Sequence, residues 1–119
     1  MKKIISTLFL FGMLLSAGML SAQQLTQAKM KAINSDNVTT FKKQFAPGDY
    51  NKCFTIGNES YSPLGFSSLY GSKNIIKFLL DNKVDINKKC NNKTPLDLAE
   101  TGKGEETAKY LMQRGAVKN

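Results

Sequence analysis

The residues of this chain that could do chemistry are carboxylates and two cysteines, because its 119 residues include no histidine. Without histidine, neither a Ser-His nor a Cys-His nucleophile pair can form, and histidine is the commonest general base. Asp97, Glu100, Glu105 and Glu106 lie close together in sequence and could pair for glycoside chemistry. A structural role suits them better, since Asp97 can cap a helix and Glu105-Glu106 can open one at its positive end. We therefore expect no enzyme.

Cofactor and metal sites have equally little support. Gly102-Lys103-Gly104 resembles part of a phosphate-binding loop, but no strand precedes it, and it fits a short turn between two helices. Cys53 and Cys90 supply two thiolates, which do not complete the tetrahedral shell of a zinc ion. The sequence thus predicts no cofactor and no bound metal.

A short motif and its upstream copy set the organisation of the chain. Thr94-Pro95-Leu96-Asp97-Leu98-Ala99 has a weaker counterpart in Ser62-Pro63-Leu64, which lies 32 residues earlier. Phe78-Leu79-Leu80 and Tyr110-Leu111-Met112 are related by the same offset of 32 residues. A fixed offset is typical of one supersecondary unit used more than once.

Each copy of the motif has the features of a helix N-terminus. The hydroxyl of Thr94 or Ser62 can cap the helix, and the following proline fits the first helical position because its missing N–H costs nothing there. Asp97 stands three residues after Thr94, so its carboxylate can bond back to the cap.

These residues resemble an ankyrin repeat, whose pattern runs T-P-L-H-x-A and, after a second helix ending in L-L, continues as G-A-D-V-N and a hairpin finger. The segment from Thr94 to Ala99 matches the first motif, with Asp97 in place of histidine. The segment from Leu79 to Asn87 resembles the second, with Lys83 and Val84 in place of glycine and alanine.

The resemblance implies an all-α fold, a short ankyrin-repeat solenoid of about three helix-turn-helix units with hairpin fingers. Unit 1, residues 25–61, would be a degenerate capping repeat without the T-P-L motif. Unit 2 spans residues 62–93, and unit 3, the C-terminal repeat, spans residues 94–119.

Apolar periodicity and turn residues place the helices within these units. Unit 1 has a helical pattern from Leu25 to Ile33, a second helix capped by Asp36 or Asn37, and a finger from Asp49 to Tyr61. In unit 2, Asn74 is predicted to cap the outer helix, and Asn91-Asn92 to form the turn of the finger, because asparagine tolerates the left-handed conformation. The outer-helix residues expected to face inwards are Ile75, Ile76, Leu79, Leu80, Ala108, Leu111 and Met112.

The first 22 residues have the features of a secretory signal peptide, which leaves residues 23–119 for the repeat domain. Lys2-Lys3 form the positive end, Ile4 to Leu20 is mostly apolar, and Leu20-Ser21-Ala22 ends in the small residues that signal peptidase requires. A membrane anchor is the alternative, but the run includes serines and glycines and is short for a spanning helix. We expect cleavage after Ala22, export to the periplasm or the medium, and no stable membrane insertion afterwards.

Export would expose Cys53 and Cys90 to an oxidising compartment. The ankyrin resemblance places them in the fingers of neighbouring units, which stack side by side, and therefore implies a disulfide. The alternative is a pair of free thiols at the fingertips. A disulfide here would stabilise the fold by about 3–4 kcal/mol in the chain-entropy model.

The ankyrin resemblance also implies a protein partner, held by a concave surface of fingers and inner helices. On this chain, the residues of that surface would be Tyr61, Tyr70, Lys88, Lys89, Asn91, Asn92 and Lys93. Tyrosine is enriched where interfaces carry energy. The structural alternatives are burial of Tyr70 against the neighbouring inner helix and a merely solvated finger edge for the lysines.

The charge balance favours an acidic protein partner or an anionic envelope surface. Removing Lys2 and Lys3 lowers the net charge from +8 to about +6, and the remaining charges are scattered. An exported chain with no basic run and no aromatic ladder is a poor candidate for nucleic-acid binding. Two functions stay open: an adaptor, inhibitor or chaperone that holds one partner, and a structural unit that self-associates or docks onto a larger array.

Overall fold

The computed structural model describes residues 23–102 and 104–119. The predicted signal peptide, residues 1–22, lies outside the described residues, as does Lys103. Within the described part, the chain forms three helix pairs and one small hairpin. The helices are α1 (Gln27–Asn34), α2 (Val38–Gln44), α3 (Pro63–Tyr70), α4 (Lys73–Asp81), α5 (Pro95–Thr101) and α6 (Glu105–Gln113), and the strands are β1 (Phe54–Ile56) and β2 (Glu59–Tyr61).

The helix pairs stack in chain order. The inner helices pack α1 against α3 and α3 against α5, while the outer helix α2 packs against α4. The predicted helical repeat is confirmed, but "all-α" needs a correction, because β1 and β2 form a short antiparallel sheet in which Phe54 faces Tyr61. Gly57, with φ of 59°, and Asn58 form the turn between them. The sheet is part of the finger predicted over residues 49–61.

The predicted helix caps of units 2 and 3 are confirmed. The Ser62 hydroxyl accepts a hydrogen bond from the Gly65 N–H at 2.8 Å. The Thr94 hydroxyl accepts from the Asp97 N–H at 3.1 Å, and the Asp97 carboxylate accepts from the Thr94 N–H at 2.9 Å. These reciprocal bonds satisfy N–H groups that a helix start otherwise leaves without partners.

The cap of α4 differs from the prediction. Asn74 lies inside the first turn, and Ser72 at the N-cap makes no side-chain capping bond. Asp36 of unit 1 supplies the acceptor instead: its Oδ1 atom accepts from the Asn74 N–H at 2.8 Å and from the Ile75 N–H at 3.1 Å. The first unit therefore caps the outer helix of the second.

The hydrophobic core runs through all three units. In unit 1 it is aromatic: Phe41 stacks on Phe45 at 4.5 Å between ring centroids, and Phe45 meets Phe54 edge-on at 5.3 Å. In unit 3 the prediction for Met112 is wrong, because 49% of its surface is exposed. Thr107 is buried in that helix instead. The other outer-helix residues predicted to face inwards are buried, namely Ile75, Ile76, Leu79, Leu80, Ala108 and Leu111.

Glycine allows the inner helices of units 2 and 3 to approach closely. A Cβ atom added at Gly102 would lie 2.0 Å from the Leu69 carbonyl oxygen. One added at Gly65 would lie 3.0 Å from Cδ1 of Leu98. Neither position has room for a larger residue without movement of its neighbours.

Candidate functional site

The fingers of units 1 and 2 are joined covalently. Cys53 and Cys90 form a disulfide with a Cα–Cα distance of 5.8 Å, which confirms the predicted pairing. Beside it, the Asn91 amide donates a hydrogen bond to the Glu59 carboxylate at 2.9 Å. Finger 1, residues 51–61, and finger 2, residues 85–93, are also joined at their first residues, where the Asp85 N–H donates to Oδ1 of Asn51 at 2.8 Å.

The tip of finger 2 is a tight turn. Asn91 and Asn92 have φ values of 58° and 63°, a conformation that asparagine tolerates better than most residues. The flanking residues close the turn, since the Cys90 N–H donates to the Lys93 carbonyl at 3.3 Å and the Lys93 N–H donates to the Cys90 carbonyl at 3.2 Å. The predicted turn at Asn91-Asn92 is confirmed.

Three lysines surround this turn. Lys89 and Lys93 are exposed and Lys88 is partly exposed. Within the part of the chain that the structure describes, none of the three forms an ion pair. The three lysines therefore give the fingertip a positive charge. The nearby carboxylate of Glu59 accepts a hydrogen bond from Asn91 and offsets part of this charge.

A row of three aromatic rings continues from finger 1 onto the inner helix of unit 2. Tyr61 meets Phe66 at 5.4 Å, and Phe66 meets Tyr70 at 4.8 Å between ring centroids. Tyr70 leaves 46% of its surface exposed, so it is not buried against the neighbouring inner helix. Burial raises the pKa of Tyr61, and the charges of Glu59 and Tyr70 add to this shift. The Tyr61 hydroxyl stays protonated and can donate a hydrogen bond.

A second concave region lies between the outer helices. A groove of about 410 Å³ separates α4 from α6. Its lining residues are Lys73, Asn74, Ile76, Lys77, Glu106, Thr107, Lys109, Tyr110 and Gln113. The Lys73 ammonium bonds to the Glu106 carboxylate across it, and this bond lowers the pKa of Glu106. A second groove lysine, Lys77, pairs with Asp81 at 2.8 Å, so two of the three lysines that line the groove already have a partner.

Three of the four carboxylates considered for catalysis have structural partners, namely Asp97, Glu100 and Glu106. Burial alone would raise the pKa of Asp97, but hydrogen bonds, chiefly from the Thr94 and Asn119 N–H groups, outweigh it and lower the pKa below the ordinary 3.8. Its stabilising effect is present above that value and is lost as the pH falls through the lowered pKa. Glu100 pairs with Lys118 at 3.2 Å. Within the described residues, no group of three or more metal-ligating side chains converges.

Sequence reasoning missed two residues of this surface. Phe66 is buried, and its ring contacts both Tyr61 and Tyr70. Its position four residues before Tyr70 on one helix predicts that the two rings meet, and this spacing could have identified Phe66. Glu59 holds Asn91, and no local pattern in the sequence links these two positions.

The stack of two-helix units, with fingers joined along one edge, defines the chain as a helical repeat protein. Residues 29–119 match the family described as ankyrin repeats (3 copies). The match covers well over half of the chain, and the protein belongs to the ankyrin-repeat family. Repeats of this family generally mediate protein–protein interactions. No curated protein matches the chain significantly.

Among the residues that the structure describes, none belongs to a helix with the length and apolar character needed to cross a membrane.

Proposed function

We propose that this chain is an exported protein-binding module that holds one partner through finger 2 and the aromatic row Tyr61–Phe66–Tyr70. The observation that carries the proposal is that both parts lie on one pre-organised surface. The disulfide and the Asn91–Glu59 bond fix the fingertip, and the row of rings leads from finger 1 to an exposed tyrosine. A surface that is already ordered loses little conformational entropy when it binds.

The partner's contacting surface would be acidic. Lys88, Lys89 and Lys93 give the fingertip its charge, and Tyr70 offers rigid contact area at the other end of the aromatic row. Charge complementarity of this kind raises the association rate and orients the partner. An adaptor, an inhibitor and a chaperone would all use such a surface, and none of these roles requires catalysis or a cofactor.

A charge-reversal experiment tests this surface. The chain, carrying a C-terminal affinity tag, is used to capture partners from the envelope and secreted fractions, and captured proteins are identified by mass spectrometry. Lys88→Glu together with Lys89→Glu should abolish capture of the specific partner. Lys43→Glu together with Lys109→Glu changes the net charge equally at exposed positions on α2 and α6 and should leave capture intact. Equal capture by both variants contradicts the proposal.

Export has its support in the sequence and in the disulfide. Residues 1–22 have the features of a signal peptide, and disulfides persist in oxidising compartments rather than in the cytosol. Cell fractionation should recover the chain in the periplasm or the medium without residues 1–22. Recovery of the uncleaved chain from the cytosol contradicts export.

A second function, assembly into a larger array, has one observation in its favour. Met112 and Val117 of unit 3 leave 49% and 56% of their surfaces exposed, which is apolar area that another chain could cover. Sedimentation separates the two functions. A homo-oligomer that Met112→Lys dissociates supports assembly, and a monomer supports the single-partner module.

A further inference from the structure

Gln23, which directly follows the predicted cleavage site, is held against β1 by hydrogen bonds. The Thr55 N–H donates to the Gln23 carbonyl at 2.9 Å, and the Leu25 N–H donates to the Thr55 carbonyl at 2.6 Å. The Thr55 hydroxyl also donates to the Gln23 carbonyl, at 3.2 Å. Residues 23–25 thus lie beside β1 as a short parallel segment, and Leu25 is buried. Gln23 and Leu25 are therefore part of the folded domain.

The side chain of Gln23 has an unusual environment. Its Oε1 atom is buried, and among the described residues it has no hydrogen-bond partner. A buried carbonyl without a donor costs free energy, so this amide gains little from its present position. Glutamine is also the residue whose amide carbon can be attacked by its own α-amine once that amine is free.

We propose that Gln23, made N-terminal by cleavage after Ala22, is a modification site at which the chain end closes to pyroglutamate. The proposal rests on the export proposed above. The deprotonated α-amine attacks Cδ of the side-chain amide, the new N–Cδ bond closes a five-membered lactam, and the Cδ–Nε2 bond breaks. The amide nitrogen leaves as ammonia, which takes up the proton from the α-amine. The step needs no oxidant, reductant or cofactor.

The observed contacts are compatible with the product. Cyclisation uses the main-chain nitrogen and the side-chain amide of Gln23, whereas the bonds to Thr55 use the Gln23 carbonyl and the Leu25 N–H. The lactam therefore leaves the parallel segment in place. It also removes the positive charge of the chain end and the primary amine that aminopeptidases require. Cleavage one residue later would make Gln24 N-terminal. The Thr55 N–H would then lose its hydrogen-bond acceptor, the Gln23 carbonyl.

Mass spectrometry of the full chain, produced in cells that express it naturally and carrying only a C-terminal tag, tests the proposal. The N-terminal peptide should begin at Gln23 with a mass lower by one ammonia, and stepwise N-terminal degradation should be blocked. The matched variant Gln23→Ala should begin at residue 23 with a free amine.

The possible outcomes separate the two proposals. A chain that begins at Gln23 with a free α-amine overturns the cyclisation and leaves export standing. A chain that begins at Met1 or at any other residue overturns the cyclisation, and one that retains residues 1–22 overturns export as well.

Discussion

The two junctions between neighbouring units are held in different ways. Unit 1 meets unit 2 through specific polar bonds and aromatic rings. Asp36 caps α4, the buried Ser72 hydroxyl donates to the Ile33 carbonyl at 2.7 Å, and Phe41 meets Phe78 edge-on at 6.1 Å. The disulfide and the Asn91–Glu59 bond continue this junction to the fingertips.

Unit 2 meets unit 3 mainly through its inner helices. Gly65 and Gly102 allow α3 and α5 to pack closely. The outer helices α4 and α6 are separated by the groove, which the Lys73–Glu106 and Asp81–Arg114 ion pairs cross. At the same junction the Val117 N–H donates to Oδ1 of Asn87 at 2.9 Å, and the Asn119 side-chain amide donates to the Asn92 carbonyl at 2.7 Å. The first junction therefore has a covalent link and a buried hydrogen bond, whereas these bonds of the second junction are exposed.

The difference indicates how a short stack stays ordered. A solenoid of a few units depends on its interfaces, because each unit alone cannot bury its apolar face. Unit 1 lacks the T-P-L motif, but Thr26 still caps α1 by accepting a hydrogen bond from the Lys29 N–H at 3.2 Å. The bonds of Asp36 and Ser72 lie at the turns between inner and outer helices, whereas the disulfide and the Asn91–Glu59 bond join the fingers and order the proposed binding surface.

Loss of the disulfide should have the largest effect on the first junction. Cys53→Ser together with Cys90→Ser opens a link between residues 37 positions apart, which should lower the free energy of unfolding by about 4 kcal/mol. Urea unfolding with and without reductant measures this. The doubly substituted chain serves as control, since reductant should not change its stability. An equal response of both chains would refute a stabilising disulfide.

At the second junction, Gly102→Ala should lower the stability of the fold more than any other substitution that adds a single methyl group. Its Cβ would lie 2.0 Å from the Leu69 carbonyl oxygen, and forcing α3 and α5 apart should cost about 1–3 kcal/mol. Gly48→Ala is the matched control, because nothing lies within 4 Å of its added Cβ. Thermal unfolding compares the two. Equal melting temperatures would show that the inner helices are not closely packed.

Asp36→Ala should have a smaller effect, confined to the first junction. The change removes the acceptor for the Asn74 and Ile75 N–H groups and should cost about 1 kcal/mol, a typical value for a lost helix cap. Asp36→Asn keeps an acceptor oxygen and should lose less. Amide hydrogen exchange of the first turn of α4 reports this directly, and unchanged exchange in Asp36→Ala would mean that the cap is unimportant.

The smallest effect is expected at the ion pair across the groove. Glu106→Gln removes the negative charge that pairs with Lys73, but both side chains are largely exposed, and such pairs contribute little. Urea unfolding at low and high salt should show no measurable difference from the unchanged chain. A clear loss of stability would show that contacts between the outer helices stabilise the second junction.

Much of the fold could be predicted from local sequence. The T-P-L caps, the repeat offset and the Asn91-Asn92 turn are all determined by residues close together in the chain. The Asp36 cap and the Glu59–Asn91 bond join residues more than thirty positions apart, so local patterns could not show them. Met112 was mispredicted because periodicity gives a helical face but not whether a further unit covers it.

A photo-reactive side chain placed at the proposed surface tests the central claim most directly. With the cross-linker at position 70, where Tyr70 is exposed at the end of the aromatic row, we predict a covalent adduct with one protein partner after irradiation. At position 109, in the groove between the outer helices, we predict none. An adduct formed from position 109 and not from position 70 would contradict the assignment of the binding surface.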